Sequence, residues 1–308
     1  MKPKIFIDGE HGTTGLQIST RLAGRDDLEI LSIPVDRRKD PAARADFLRA
    51  ADIAILCLPD DAARESVALI GDAPTRVIDA STAHRVVDDW AYGFPEMDKA
   101  QARAISEAKY VANPGCWPQG PIAMLRPLIR AGILPTTLPV TMNGISGYSG
   151  GGRQMVEDYV AKGEDAPEYL PYALTFQHKH VPELKHYAGL SHDPLMQPVV
   201  GNFAQGMVTA VPLHLGTLDR VPTGAEIHAA IADHYAGLAH SVVEVAPYAP
   251  LERSSEVNPE LYNDTNRMRL HVFANDSRAQ AVLIAVYDNL GKGASGAAVQ
   301  NMDLMLGV

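Results

Sequence analysis

With two cysteines, two tryptophans and only 6% aromatic residues, this 308-residue chain has few of the groups that cross-link or stack a fold together. Two cysteines permit one disulfide at most, which excludes a disulfide-framed secreted scaffold. Cys57 lies inside the apolar run Ile53-Ala54-Ile55-Leu56-Cys57-Leu58. Both it and Cys116 are expected to stay reduced, which points to the cytoplasm. Long apolar runs are also missing. The longest stretch without charge, residues 131–152, is full of Gly, Pro, Ser, Thr and Asn and cannot span a bilayer. The amino-terminal run Ile5-Phe6-Ile7 is too short for a signal peptide. There is no internal repeat, low-complexity tract or long linker. Positive charge is scarce: 27 Lys and Arg against 37 Asp and Glu give a net charge of −10. That balance argues against a nucleic acid or an anionic membrane as partner. An anionic substrate would need a local cluster of cations.

What remains is ordinary globular composition, long enough for two domains. The first third alternates strand-like and helix-like runs. Strands are expected at Lys4–Asp8, 29–33, 52–58, 76–79 and near 109–112, with helices at 16–22, 41–51 and 62–70. This rhythm implies a parallel sheet with right-handed crossovers, whose ligands gather beyond the carboxyl ends of the strands. Gly9, Gly12 and Gly15 follow the first strand and open the first helix. Such glycines let a backbone approach a pyrophosphate, and the helix N-terminus favours its charge. Thr13 and Thr14 add hydroxyl donors. After the second strand, Arg37, Arg38 and Lys39 outweigh Asp36, which favours the 2′-phosphate of NADP over the 2′-hydroxyl of NAD. The bland alternative is a solvated charge run.

The run Lys109-Tyr110-Val111-Ala112, the turn Asn113-Pro114-Gly115 and a helix-like segment from about 122 frame Cys116. Strand, glycine turn and helix would set this thiol at or just before a helix N-terminus, where the dipole favours the thiolate. Pro118 suits a first helical turn. A buried structural cysteine is the alternative. Further on, a strand is expected at 139–145, then Ser146-Gly147-Tyr148-Ser149-Gly150-Gly151-Gly152-Arg153. That stretch reads either as a flexible loop or as backbone near a nicotinamide, with Arg153 available for an anion. The cluster His178-Lys179-His180-Val181-Pro182-Glu183-Leu184-Lys185 offers an acid/base histidine and a lysine for an anion better than it offers a metal site. Strands near 208–213, 268–273 and 279–286, a helix at 224–238 and a terminal helix from about 293 complete the pattern. The alternation in the later strands suggests one solvated or interface face.

Several separated segments together resemble the short form of the N-acetyl-γ-glutamyl-phosphate reductases. They are Gly9-x-x-Gly12-x-x-Gly15, Asp79-x-Ser81-x-x-x-Arg85, Tyr92-Gly93-Phe94-Pro95-Glu96, Asn113-Pro114-Gly115-Cys116, Ser146-Gly147-x-Ser149-Gly150-x-Gly152-Arg153, His178-x-His180-x-Pro182-Glu183 and Gln300-Asn301-Met302. Trp117 and Gln119 stand where the family pattern more often has tyrosine and threonine. That family is similar in architecture to aspartate-semialdehyde and glyceraldehyde-3-phosphate dehydrogenases. The resemblance implies an α/β protein. A Rossmann-type parallel-sheet domain (1–115 plus 290–308) would bind NADP, and an α+β catalytic and oligomerisation domain would span 116–289. It implies a small-molecule acyl phosphate as substrate, no metal, and a homo-oligomer, dimer or tetramer. Cys116 would be the nucleophile that carries a thioester, with His180 as acid/base and His178 as the fallback. Cofactor contacts would come from Gly9, Gly12, Thr13, Thr14, Gly15, Arg37, Arg38, Ser81, Ser146 and Gly147. Asn113, Arg85, Arg153, Glu183 and Lys185 would hold substrate. The rival readings are the same chemistry on aspartyl or aminoadipyl phosphate, a regulator that senses NADP without chemistry, and a thiol hydrolase.

Overall fold

Strands that are apolar at every position need cover on both faces, and a parallel sheet wrapped by helices provides it. The computed structural model describes residues 2–239, 241–250 and 253–308 and divides into two units. The first holds Met1–Pro95, Ala100–Gly115 and Ala294–Val308. Strands β1 (Lys4–Asp8), β2 (Glu29–Leu31), β3 (Ile53–Leu56), β4 (Arg76–Asp79), β5 (Ala91–Tyr92) and β6 (Tyr110–Ala112) form one sheet, ordered β2-β1-β3-β4-β6-β5. Every pairing is parallel. Helices α1 (Thr13–Leu22), α2 (Pro41–Ala50), α3 (Asp60–Ile70) and α4 (Gln101–Glu107) lie between the strands in sequence.

Alternate residues of each strand serve opposite faces. Ile5, Ile7, Ile53, Ile55, Ile78 and Val111 meet Ile18 and Leu22 of α1 together with Met302 and Met305 of the C-terminal helix Gly296–Leu306. Phe6, Ala54, Leu56 and Val77 turn the other way, onto Leu48 of α2 and Ala63 and Ile70 of α3. Each buried Ile or Leu contributes about 1.5–3 kcal/mol over exposure. The second strand is shorter than expected: β2 stops at Leu31, on the sheet edge and ahead of Pro34.

The second unit holds Glu96–Lys99 and Cys116–Gly293. Its helices are α5 (Cys116–Arg130), α6 (Gly152–Lys162), α7 (Val181–Ala188) and α8 (Gly224–Ala236). Its strands are β7 (Thr141–Gly147), β8 (Tyr169–Pro171), β9 (Leu195–Gly201), β10 (Met207–His214), β11 (Val243–Val245), β12 (Met268–Asn275) and β13 (Gln280–Tyr287). They form a mixed sheet in the order β11-β12-β13-β10-β7-β9-β8. Helix α5 packs on β10, β12 and β13, with α7 and α8 also against it. Its approach needs Gly120, where a Cβ would come 2.2 Å from Thr209 Oγ1 and 3.0 Å from Ala285 Cβ. On the sheet's other face, Pro212, His214, Phe273, Asn275 and Val282 help line an open groove of about 400 Å³. Among the described residues, no helix is long and apolar enough to cross a membrane.

Two expectations shift here. The strand placed at 139–145 runs from Thr141 to Gly147, because Pro139 cannot donate to a ladder and glycines 144 and 147 can still pair. The glycine-rich stretch after it is no loose loop. Tyr148–Gly151 makes a 3₁₀ turn and Gly152 begins α6.

Candidate active site

Cys116 is the first residue of α5 and is partly exposed. The helix start recruits a partner from far along the chain. The Tyr287 hydroxyl donates to the Cys116 carbonyl at 2.7 Å and accepts the Gly120 N–H at 3.3 Å. It thus bridges the donor and acceptor that the first helical turn would otherwise pair directly. Burial, with negative charge at Cys116 adding, pushes the Tyr287 phenol well above its usual range, so the hydroxyl keeps its proton and remains a donor. Gly293 presses against the thiol residue: a Cβ there would lie 2.9 Å from Cys116 Cβ. Trp117 is buried, and a Cβ at Gly144 would come 2.5 Å from its indole and 2.6 Å from the Val208 carbonyl oxygen. Gln119 is buried one turn on and donates to the Lys292 carbonyl at 2.7 Å. The two departures after the cysteine therefore have local packing reasons.

The histidines belong to the same neighbourhood through an aromatic chain. Trp117 meets Tyr172 edge-on at 6.5 Å, Tyr172 meets His178 at 5.6 Å, and His178 meets His180 at 4.7 Å. His178 Nδ1 accepts the backbone N–H of His180 at 3.2 Å. Burial, with Lys179 adding to it, pushes His178 down to about 4, so its ring stays a neutral acceptor. His180 is buried at the N-cap of α7, and Glu183 is buried in that helix's first turn. Burial also raises the Tyr172 phenol, with Cys116 as the second cause. Cys116, Tyr172, His178, His180, Glu183 and Tyr287 thus share one corner of the second unit. A thiol, imidazoles and phenols gathered in this way are groups that acyl chemistry can use. The tyrosines were missed from sequence: Tyr287 lies 171 positions from the cysteine it holds.

Other expected substrate residues are placed differently. Lys185 pairs with Asp193 at 3.0 Å on the surface, and Arg153 is exposed at the start of α6. In the first unit, Arg85 is buried and donates to the carbonyls of Asn113 and Ala80, both at 3.0 Å. Asn113 donates to the Ala294 carbonyl and accepts from Asn301. Here Arg85 and Asn113 tie the strand ends of the first unit together.

The glycine turn of the first unit fits a dinucleotide. Gly9 has φ 92°, and a Cβ there would lie 2.4 Å from the Cys57 carbonyl oxygen. A Cβ at Gly15 would lie 2.3 Å from the Gly9 carbonyl oxygen. Those two glycines close the turn, whereas Gly12 is exposed at the N-cap of α1 and offers no side chain to the first amides. The uncapped N–H groups at Thr13 and Thr14 suit a phosphate. Arg37 and Arg38 are exposed beyond β2, and Arg37 reaches Asp40 at 3.4 Å. Ser81 is buried; its hydroxyl donates to Asp79 at 2.7 Å, and His84 lies 2.6 Å from the same carboxylate. Ser146 and Gly147 end β7 in the second unit, where Ser146 is buried and Gly147 packs against the Ala204 backbone. Among the described residues, no three His, Cys, Asp or Glu side chains gather as a metal site.

Comparison with known proteins supplies the class. Residues 116–289 match the family model described as the semialdehyde dehydrogenase dimerisation domain, and residues 34–105 match its NAD binding domain. An aspartate semialdehyde dehydrogenase II from Vibrio cholerae has the same fold, with a TM-score of 0.72 at 16% identity over 99% of each chain. The chain is 76% identical to an N-acetyl-gamma-glutamyl-phosphate reductase of Mesorhizobium japonicum over 100% of both chains. It is 56% identical to one of Sinorhizobium medicae over 99% of each. The chain belongs to the N-acetyl-γ-glutamyl-phosphate reductase family of semialdehyde dehydrogenases.

Proposed function

We propose that this enzyme reduces N-acetyl-γ-glutamyl phosphate to N-acetylglutamate 5-semialdehyde with NADPH, releasing phosphate, as a step of arginine biosynthesis. The observation that carries the reading is Cys116 at the start of α5, in the same corner as His180 and the Tyr287 hydroxyl. The acyl phosphate is already activated, so the Cys116 thiolate adds to its carbonyl carbon and the C–O bond to phosphate breaks. His180 takes the thiol proton in this step. Backbone N–H groups at the head of α5 hold the oxyanion. The product is a thioester, which accepts hydride where a carboxylate does not. Bound NADPH supplies that hydride. His180 gives a proton to the oxygen of the reduced adduct, then takes it back as the C–S bond breaks and passes it to the departing sulfur, which yields the aldehyde and frees the thiol.

In this reading Gly9, Gly12, Thr13, Thr14 and Gly15 hold the pyrophosphate and Arg37 and Arg38 the 2′-phosphate. Ser81, Ser146 and Gly147 complete the cofactor contacts. Arg85, Asn113, Arg153, Glu183 and Lys185 are the substrate contacts to be tested one by one. Residues 1–115 with 290–308 form the NADP-binding domain, and 116–289 the catalytic and oligomerisation domain. The protein works in the cytoplasm as a homo-oligomer; the half-exposed sheet face around Phe273 and Val282 supports that assembly.

The test runs the reaction backward. NADP reduction is followed with phosphate and, in turn, N-acetylglutamate, aspartate and aminoadipate semialdehydes. The first should turn over fastest, and Cys116→Ser should lose about 10⁴-fold or more. Preference for another aldehyde would reassign the substrate, and a fully active Cys116→Ser enzyme would end the thioester reading.

A further inference from the structure

Lys292 is 0% exposed and Glu96 is 2% exposed, and Lys292 Nζ donates to Glu96 Oε2 at 2.7 Å. A buried ion pair is a poor source of stability, because the cost of desolvating both charges can exceed their attraction. Burial works against the lysine's charge, and Glu96 sustains it. The mechanism uses neither group. What the pair does hold is a turn. Lys292 sits in the π-helical turn Gly291–Ser295, a rare geometry that is frequent at functional sites.

One contact from that turn reaches the helix that carries the nucleophile, and another reaches the nucleophile's own residue. The Lys292 carbonyl takes the Gln119 side-chain amide at 2.7 Å, one helical turn beyond Cys116. Gly293 lies against Cys116 Cβ so closely that any side chain there would collide. The Gly293 N–H is itself fixed, donating to the Asp288 carbonyl at 2.9 Å. Glu96 is braced in turn: its carboxylate accepts the Val242 N–H at 3.4 Å, and its carbonyl lies 3.2 Å from His234 Nε2.

We infer that Lys292 and Glu96 are positioning residues, whose buried pair pins the turn that sets the Cys116 thiol for attack. The inference rests on Cys116 being the nucleophile of the proposed reaction. Misplacing a reacting atom by about 1 Å can cost on the order of 10²-fold in rate, so a small movement of this turn is enough to matter.

The experiment reads the thiol directly, without substrate. Alkylation of Cys116 by iodoacetamide is followed by peptide mass spectrometry between pH 5 and 9, beside kcat, the KM for NADP and the circular dichroism spectrum. The variants are Lys292→Met with Glu96→Gln, which removes both charges and strands neither, and Gly293→Ala, which leaves the pair intact and disturbs its contact with Cys116. Each should keep the wild-type spectrum and a KM for NADP within about twofold, while alkylation and kcat both fall about tenfold or more. Alkylation within about twofold of wild type in either variant overturns the inference. Should the double variant fail to fold, Glu96→Asp, which keeps both charges and shortens the reach to Lys292 Nζ, decides it by the same thresholds. A wild-type Cys116 that resists alkylation across the whole pH range would instead overturn the nucleophile reading.

Discussion

Two histidines that share one motif are separated by their surroundings. His178 holds the His180 backbone N–H through Nδ1, and burial pushes its ring down to about 4. Between that value and the ordinary one near 6.5, the unfolded chain binds a proton that the folded His178 does not. Stability therefore falls as pH drops through this window and does not depend on His178 above it. His178→Gln should flatten the decline in urea midpoint between pH 7 and pH 5; an unchanged decline would contradict the assignment. Tyr287→Phe removes the hydroxyl between Gly120 and Cys116, and should cost about 1–3 kcal/mol in chemical denaturation. An unchanged midpoint would mean that water replaces the hydroxyl. At this scale the cysteine was legible, because Asn113-Pro114-Gly115 before it and Pro118 after it spell out a helix start locally. Which of the two histidines acts was not, since both rings sit in the same short motif.

Helix α5 shows what could be read element by element. Its body was visible as an apolar run, and the structure extends it back to the cysteine itself. Pro121 and Pro127 inside it would ordinarily break a helix. Pro127 leaves the Ala123 carbonyl without its usual donor, and the buried Tyr235 hydroxyl of α8 fills that place at 2.8 Å. No local rule foretells such a repair. Gly120 is the contact point with the sheet, so Gly120→Ala should destabilise the protein by about 1–3 kcal/mol through overpacking. Thermal unfolding checks this, and an undiminished Tm would show that the sheet yields instead. The β strands divide along the same line. Alternation exposed β10, β12 and β13, whereas β8 and β11 have three residues each, too few to carry a period.

At the scale of the whole chain, the terminal helix Gly296–Leu306 covers one face of the first sheet, where Met302 is fully buried beside Ile5 and Ile78. Deleting residues 296–308 should expose that face and abolish both NADP binding and the cooperative unfolding transition. A truncated chain that still binds NADP with wild-type affinity would contradict this placement. The order of motifs along the chain disclosed the fold class and the family. The Glu96–Lys292 pair could not be seen that way, because its partners stand 196 positions apart and each alone looks like a surface charge.

In the proposed reaction an acyl group rests on Cys116 between phosphate departure and reduction. Mixing the enzyme with NADP and N-acetylglutamate 5-semialdehyde in the absence of phosphate tests it most directly, because the acyl group then has nowhere to go. A burst of about one NADPH per chain is predicted, with peptide mapping locating the added acyl group on Cys116. No burst, or an acyl group found on any other residue, would contradict the account.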